Sequence, residues 1–187
     1  VENYMSALRT AGDELSDEEL ARIHWQLGEI YRQQQNWRSA STHYRAAHRL
    51  DKEINVRLGD RLLESFEKYA AELQETKPEL ALMVVEEGLE VREDFDLLFR
   101  KGLLLSDLER YRESNEAFAA LEDRAETQKG IYYRRALNHF ALGEILTGRE
   151  MLQREVRLHT DNYEALCLLG DYALQRDDYD SAQNYYR

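Results

Sequence analysis

The side chains that could perform catalysis or bind a metal are few, and their spacing suits neither role. No two of the histidines stand four residues apart on one helix face, and none lies within a carboxylate pattern of the metalloenzyme kind. They are His24, His43, His48, His139 and His159. The sequence therefore predicts no metal site. We expect His139 to be a packed core histidine, because it occupies a large core position.

Cysteine and glycine usage gives no further catalytic signal. Cys167 is the only cysteine, so it has no disulfide partner within the chain. A catalytic thiol needs an adjacent base, which the sequence does not place, and we expect Cys167 to be a small buried or groove-lining hydrophobe. Gly143 and Gly148 flank a helix-to-helix turn rather than forming a phosphate-binding loop. We predict no catalytic residues, no enzyme activity and no cofactor.

A recurring pattern of small and large residues organises the chain. A small residue in one helix is followed about a helix later by a large residue, a small residue and an aromatic one. The small first-helix residues are Gly28, Ala70, Gly102, Ala136 and Gly170. The last three intervals between them are 32, 34 and 34 residues, whereas the first is 42. The pattern indicates stacked pairs of antiparallel helices, since small residues let two helices approach closely.

The pattern resembles the tetratricopeptide repeat (TPR) family, most closely in Leu27, Gly28, Tyr31, Trp37, Ala40, Tyr44 and Ala47 and in Leu169, Gly170, Ala173, Tyr179, Ala182 and Tyr186. The resemblance covers about residues 21–187, with a degenerate second copy. It implies an all-α, right-handed superhelical solenoid of antiparallel helix pairs. The repeats implied are approximately 21–54, 55–94, 95–128, 129–162 and 163–187, within an array spanning 13–187.

Local signals mark several helix starts. Ser16 with Glu19 and Asp161 with Glu164 are typical of capping boxes, and Asp94, Thr127 and Asn36 stand where N-caps are needed. Pro78, the only proline, is expected in a first helical turn.

Both ends of the chain resemble cut ends of a longer array. Residues 1–12, with Gly12 as a C-cap, resemble the second helix of a preceding repeat. The fifth repeat stops at Arg187, before its second helix is complete. We expect a fragment that could self-associate through these ends.

Composition excludes several partners. The net charge is −12, from 37 acidic and 25 basic residues, and no basic stripe is present, so nucleic-acid binding is not expected. The sequence contains no apolar run near the roughly 20 residues that a membrane span needs, so direct membrane insertion is not expected either. Neither feature decides between a cytoplasmic and a periplasmic location.

The TPR resemblance implies a concave groove, lined by first helices, that binds a peptide or a partner helix. The matching positions, with two neighbouring arginines, are Trp25, Glu29, Arg32, Phe99, Arg100, Leu103, Tyr133, Arg134, Leu137, Phe140 and Asp171, with Cys167 and Leu174 at further equivalent places. No lysine and asparagine clamp for a C-terminal carboxylate is present. The groove is apolar in the third and fourth repeats, which suits an amphipathic helix or an extended apolar segment. The alternative is that these residues pack against neighbouring repeats.

Three functions follow from these observations. The first is a protein–protein interaction scaffold that binds a protein or peptide partner. The second is a regulatory or substrate-docking arm of an enzyme whose catalytic domain lies outside this segment. The third is a periplasmic TPR scaffold of a bacterial exopolysaccharide export or secretion system, on compositional similarity. The fold alone does not choose among them.

Overall fold

The computed structural model describes residues 2–10, 15–51 and 55–187. The described backbone forms helices joined by short turns and contains no strand, which confirms the predicted all-α fold class. The chain divides into two compact units, Val1–Leu97 and Leu98–Arg187. Among the described residues, no helix is both long enough and apolar enough to cross a bilayer.

The helices of the first unit are α1 Glu2–Thr10, α2 Asp17–Gln33, α3 Trp37–Leu50, α4 Asn55–Leu73 and α5 Pro78–Val91. Helix α2 packs against α3, and α4 packs against α5. Helix α1 lies within the predicted terminal segment 1–12. The predicted C-cap Gly12, the boundary after it and the repeat boundary at residue 54 lie outside the described residues.

The second unit begins within α6, which spans Phe95–Asp107. The helices that follow are α7 Tyr111–Ala119, a 3-10 turn Glu122–Arg124, α8 Ile131–Ala141, α9 Ile145–Leu158, α10 Tyr163–Leu174 and α11 Tyr179–Tyr185. Helix α8 packs against α9, and α10 packs against α11.

Aromatic rings lie directly on glycines and hold three of the helix pairs together. A Cβ atom at Gly28 or Gly102 would lie 2.6 Å from a ring atom of Tyr44 or Phe118 respectively. At Gly170 the corresponding distance, to Tyr186, would be 2.5 Å. No side chain larger than hydrogen fits under these rings, so the spacing of small and aromatic residues reflects direct contact between the paired helices.

The fourth pair, α8 with α9, reverses this arrangement. Here the glycine is Gly148 on the second helix, and the ring above it is Phe140 on the first. A Cβ atom at Gly148 would lie 2.5 Å from that ring. Ala136 and Leu152 occupy the positions that hold glycine and an aromatic residue elsewhere, and both are fully buried. One face of Phe140 therefore serves the helix pair itself.

A left-handed residue ends the first helix of four pairs. Gln35, Glu109, Gly143 and Asp177 have φ angles of 56°, 59°, 76° and 58°. Each is followed by a backbone N–H that reaches back to a helix carbonyl, such as the Arg110 N–H on the Leu105 carbonyl at 2.8 Å. This is the closing turn in which glycine is ordinarily preferred, because its lack of a Cβ removes the steric cost.

Several predicted helix starts are confirmed. Ser16 and Glu19 form a capping box, with the Glu19 N–H donating to Ser16 Oγ at 3.3 Å and the Ser16 N–H donating to Glu19 Oε2 at 2.9 Å. Asn36 and Asp94 each accept a hydrogen bond from the N–H three residues ahead, at 3.1 and 3.2 Å. Pro78 lies in the first turn of α5.

The predicted capping box at Asp161 is wrong. The N-cap of α10 is Asn162, whose side chain accepts from the Ala165 N–H at 3.3 Å. Its amide also donates to buried Glu155 at 2.7 Å, so a tertiary contact fixes Asn162 in the capping position. Asp161 pairs instead with Lys129 at 3.1 Å.

The predicted N-cap at Thr127 is also wrong. Its hydroxyl donates to the Arg124 carbonyl at 3.2 Å, within the turn that precedes α8. Helix α8 starts after Gly130, which has a φ angle of 99°. The carboxylate of Glu155 takes the capping role from another helix, since it accepts the Gly130 N–H at 2.7 Å.

Candidate functional site

Two of the three groove residues predicted in the first unit, Glu29 and Arg32, form polar contacts within the chain. Glu29 accepts hydrogen bonds from the Tyr44 hydroxyl and from Arg61, both at 2.5 Å, and lies 3.5 Å from Arg32. Burial alone would raise the pKa of Glu29, but the bonds from Tyr44 and Arg61 outweigh it and hold that pKa below its usual range. The indole N–H of Trp25 is buried and has no hydrogen-bond partner in the described residues.

An equivalent acid–tyrosine bond occurs in the last helix pair. The Tyr186 hydroxyl donates to Asp171 at 2.5 Å, as the Tyr44 hydroxyl donates to Glu29. The bond to Asp171, with some burial, raises the pKa of Tyr186 to about 12. In both pairs the acid directly follows the glycine beneath the ring. The signal was present in the sequence as an acid fifteen residues before a tyrosine.

Leucine replaces the acid where the ring has no hydroxyl or where there is no ring. Gly102 is followed by Leu103, and the covering residue is Phe118. Ala136 is followed by Leu137, whose counterpart on α9 is Leu152. Leu103 and Leu137 are each half-buried, so part of each side chain remains at the surface. Phe118 and Leu152 have no hydroxyl group that could donate a hydrogen bond to an acid at position 103 or 137.

Polar contacts place the two leucine-bearing helices side by side. Ser106 of α6 donates to Asn138 of α8 at 2.8 Å. Asn138 is fully buried, and its amide nitrogen donates to Ser114 and Asn115 at 2.8 and 3.1 Å. With every amide hydrogen and the carbonyl oxygen bonded, Asn138 fixes the register of neighbouring helix pairs.

The aromatic residues predicted to line the groove are each partly buried. The Phe99 ring meets the buried Phe118 ring edge-on, with 5.4 Å between centroids. Tyr133 and Phe140 are partly buried and pack against a buried cluster that includes Leu169 of α10. Tyr133 and Phe140 therefore pack partly against a neighbouring repeat, the alternative considered from the sequence, whereas Phe99 packs within its own helix pair.

The polar residues predicted to bind a partner in the second unit differ in exposure. Arg134 is exposed, and its guanidinium carbon lies 5.8 Å from the centroid of the Tyr133 ring. Arg100 is half-buried and Asp171 is exposed. Cys167 is exposed, so of its two expected roles the buried one is wrong and the groove-lining one stays a prediction. Leu174 keeps 43% of its surface exposed. We call Phe99, Leu103, Tyr133, Arg134 and Leu137 the α6–α8 face.

His139 is held by polar partners on both ring nitrogens. Nδ1 lies 2.6 Å from a Glu144 oxygen, and Nε2 lies 3.3 Å from the Asn115 amide nitrogen. Only 15% of its side chain is exposed. These contacts agree with the expected packed histidine, and they extend the hydrogen-bond network that begins at Asn138.

A histidine pair that sequence spacing did not reveal joins α2 to α3. The Nδ1 atoms of His24 and His43 are 3.0 Å apart, and the ring centroids are 5.2 Å apart. The two nitrogens thus point almost directly at each other, which is the geometry of one imidazole donating to the other. Tyr31 stacks on His43 with 5.4 Å between centroids. Among the described residues, no third histidine, cysteine or carboxylate completes a metal-binding group here or elsewhere.

The histidine pair should make stability depend on pH. Burial lowers the pKa of His24, and burial together with the charge of His24 lowers the pKa of His43. The unfolded chain, with ordinary values of about 6.5, then binds more protons than the folded chain. The stabilisation is complete above that value and is lost as the pH falls below it. Urea unfolding between neutral and mildly acidic pH measures this loss.

Glutamine variants test whether the histidine pair causes that loss, with His48→Gln as the control. His24→Gln with His43→Gln should flatten the loss of stability relative to the unaltered chain, whereas His48→Gln, also on α3, should leave it unchanged. The same slope in all three proteins would show that the pair is not responsible.

Comparisons with known proteins place the fold. No family model matches the chain, and no curated sequence matches it. MamA from Desulfovibrio magneticus RS-1 is similar in structure, with a TM-score of 0.63 and 18% identity over 89% of this chain and 90% of that chain. Pseudomonas aeruginosa PilF gives a TM-score of 0.64 and 20% identity over 91% of this chain and 75% of that chain.

A third similar structure is YrrB, described as a TPR protein with an unusual peptide-binding site. It matches with a TM-score of 0.58 and 21% identity over 87% of this chain and 78% of that chain. The helix pairs, the ring-on-glycine contacts and these similar structures agree. The chain therefore has the all-α fold of the tetratricopeptide repeat proteins.

Proposed function

We propose that this chain is a protein-binding scaffold and that the α6–α8 face binds a partner helix or an extended apolar peptide. The observation that carries the proposal is the pair Leu103 and Leu137. At the equivalent positions of the first and last helix pairs, Glu29 and Asp171 are bonded to tyrosine hydroxyls. The two leucines instead offer apolar surface, and covering such surface stabilises a complex.

The chemistry of the partner follows from the rest of this face. Phe99 and Tyr133 extend the apolar surface beside the leucines, because both residues are only partly buried and lie one helical turn before Leu103 and Leu137. Arg134 is exposed at its margin and can bind a carboxylate of the partner. An amphipathic helix with apolar residues on one face and an acidic residue at its edge would match this arrangement.

The similarity to YrrB supports a peptide as partner, since YrrB is described as having a peptide-binding site. In the first unit, the predicted partner-binding residues remain Trp25, Glu29 and Arg32. We place the binding surface on the second unit, because Glu29 and Arg32 already bind residues of the chain itself.

The test is a comparison of charged variants by affinity capture from the source cell. Replacing Leu103 and Leu137 with aspartate puts charge where the partner's apolar face should lie, and we expect its affinity to fall at least about tenfold. The control is Leu146→Asp on α9, since Leu146 is 64% exposed and lies outside the α6–α8 face. That variant should retain the partner.

A second variant guards against loss of folding. Leu103 and Leu137 are half-buried, so circular dichroism and the thermal midpoint must be measured for the double variant. Arg134→Glu changes only an exposed charge and should weaken an acidic partner without altering helicity. Equal capture by the unaltered chain, the double variant and Arg134→Glu would contradict the proposal.

A further inference from the structure

A cleft on the second unit is lined by two arginines, and neither forms an ion pair within the described residues. It lies between the 3-10 turn and the helices α8 and α9, and has a volume of about 300 Å³. Its walls include Tyr132, Arg154, Arg157 and Leu158, together with Glu122 and Glu126. We call it the Arg154 cleft. None of these residues belongs to the α6–α8 face.

Arg154 of this cleft and the neighbouring Arg135 each contact another side chain. The guanidinium carbon of Arg154 lies 5.7 Å from the centroid of the Tyr132 ring, a cation–π contact that orients its planar fork. Arg135 pairs with Glu122, and 15% of its side chain is exposed. Burial and, after it, the charge of Arg154 hold the pKa of Arg135 below its usual range.

Counted with Arg135, which pairs with Glu122, three guanidinium groups at this cleft stand against two carboxylates. Within the part of the chain that the structure describes, no carboxylate forms an ion pair with Arg154 or Arg157, and Nε of Arg135 is buried without a hydrogen-bond partner. Glu122 forms an ion pair with Arg135, so Glu126 is the remaining acid among the residues that line the cleft. In a chain of net charge −12, the exposed guanidinium groups of Arg154 and Arg157 thus give this cleft a local excess of positive charge.

We propose that the Arg154 cleft binds a carboxylate side chain of an acidic peptide segment. A guanidinium fork matches a carboxylate in two parallel hydrogen bonds, and Arg154 with Arg157 supplies two such forks. Leu158, 42% exposed, and the Tyr132 ring provide apolar surface for the carbon chain of a glutamate and its neighbours. The volume accommodates one or two side chains rather than a folded domain.

Fluorescence anisotropy with two end-blocked, labelled peptides tests this assignment on the full chain. One peptide alternates glutamate with leucine, and its counterpart has glutamine in place of glutamate. We expect the glutamate peptide to bind at least about tenfold more tightly, and added salt to weaken it. Binding of neither peptide, or equal binding of both, would overturn the proposal.

Variants place the binding in the cleft. Arg154→Gln and Arg157→Gln should each reduce glutamate-peptide affinity about tenfold, whereas Arg112→Gln, exposed on α7, should not change it. Arg154→Lys keeps the charge but loses the fork, and should bind with intermediate affinity. Helicity of each variant is checked by circular dichroism. Unchanged affinity in folded Arg154→Gln would overturn the assignment.

A phosphate arm separates carboxylate from phosphate recognition. Inorganic phosphate should displace the glutamate peptide only weakly. Tight phosphate binding lost in Arg154→Gln, without glutamate-peptide binding, would overturn the carboxylate assignment in favour of a phosphorylated ligand. The Leu103 and Leu137 double variant should bind the glutamate peptide normally, so failure of this proposal and failure of the α6–α8 face are distinguishable.

Discussion

Replacing Glu155 with alanine should lower the free energy of unfolding of the second unit by about 4 kcal/mol. Glu155 is 1% exposed. Its carboxylate accepts from the Gly130 N–H at 2.7 Å, the Tyr133 N–H at 3.2 Å and the Asn162 amide at 2.7 Å. Alanine would leave these donors without their acceptor and would open a cavity. Urea unfolding followed by circular dichroism measures the loss.

Two further variants separate the causes of that loss. Glu150→Ala removes an exposed acid from the same helix and should change stability little. Glu155→Gln keeps one acceptor oxygen but turns an amide donor toward backbone donors, so its stability should fall between those of Glu155→Ala and the unaltered chain. A Glu155→Ala protein as stable as Glu150→Ala would show that water or a backbone shift replaces the carboxylate.

Phe118→Ala should also destabilise the second unit by about 4 kcal/mol. The ring is fully buried, covers Gly102 and meets Phe99 edge-on, so its removal leaves a void between α6 and α7. Thermal and urea unfolding of the variant measure the change. A loss below about 1 kcal/mol would mean that the paired helices collapse into the space.

The fourth helix pair supplies the control for this contact. Gly102→Ala gains about 1 kcal/mol of helix propensity but forces a Cβ into the ring, and we expect a net loss of about 1 kcal/mol. Combining Gly102→Ala with Phe118→Leu recreates the residue types of Ala136 and Leu152. The double variant should be more stable than the sum of the single losses indicates. Simple additivity would show that ring and glycine do not interact.

Sequence spacing predicted the helices and their pairing because both depend on local periodicity. Gly28, Gly102 and Gly170 recur with the residues that cover them at constant separation, so one contact could be recognised three times. Caps such as Ser16 and Asn36 were also predictable, since each bonds to an N–H three residues ahead.

Features set by contacts between distant residues were not predictable in this way. Asn162 replaces Asp161 as a cap because Glu155, on another helix, binds it. The ring of Phe140 and its glycine exchange helices in the fourth pair, although the spacing of small residues is kept. His24 and His43 meet across two helices, at a separation that no single-helix pattern contains.

The candidate site shows the same division. First-helix positions were identified from the repeat, but spacing alone could not separate Glu29 and Asp171, which bind tyrosine hydroxyls, from Leu103 and Leu137, which bind no such group. The identity of the covering residue decides the difference, because phenylalanine and leucine have no hydroxyl to donate. The Arg154 cleft was missed because its residues come from three separate elements.

The left-handed turns are positions at which substitution by glycine should raise the stability of the chain. Gln35, Glu109 and Asp177 hold a conformation that costs an ordinary residue about 1 kcal/mol, whereas Gly143 holds it freely. None of these turn residues belongs to either proposed binding surface, and stability in a repeat array is roughly additive along the chain. Glycine at these turns would therefore give a more stable background protein. Charged or cavity-forming variants of the binding surfaces could be compared in that background while all of them stay folded.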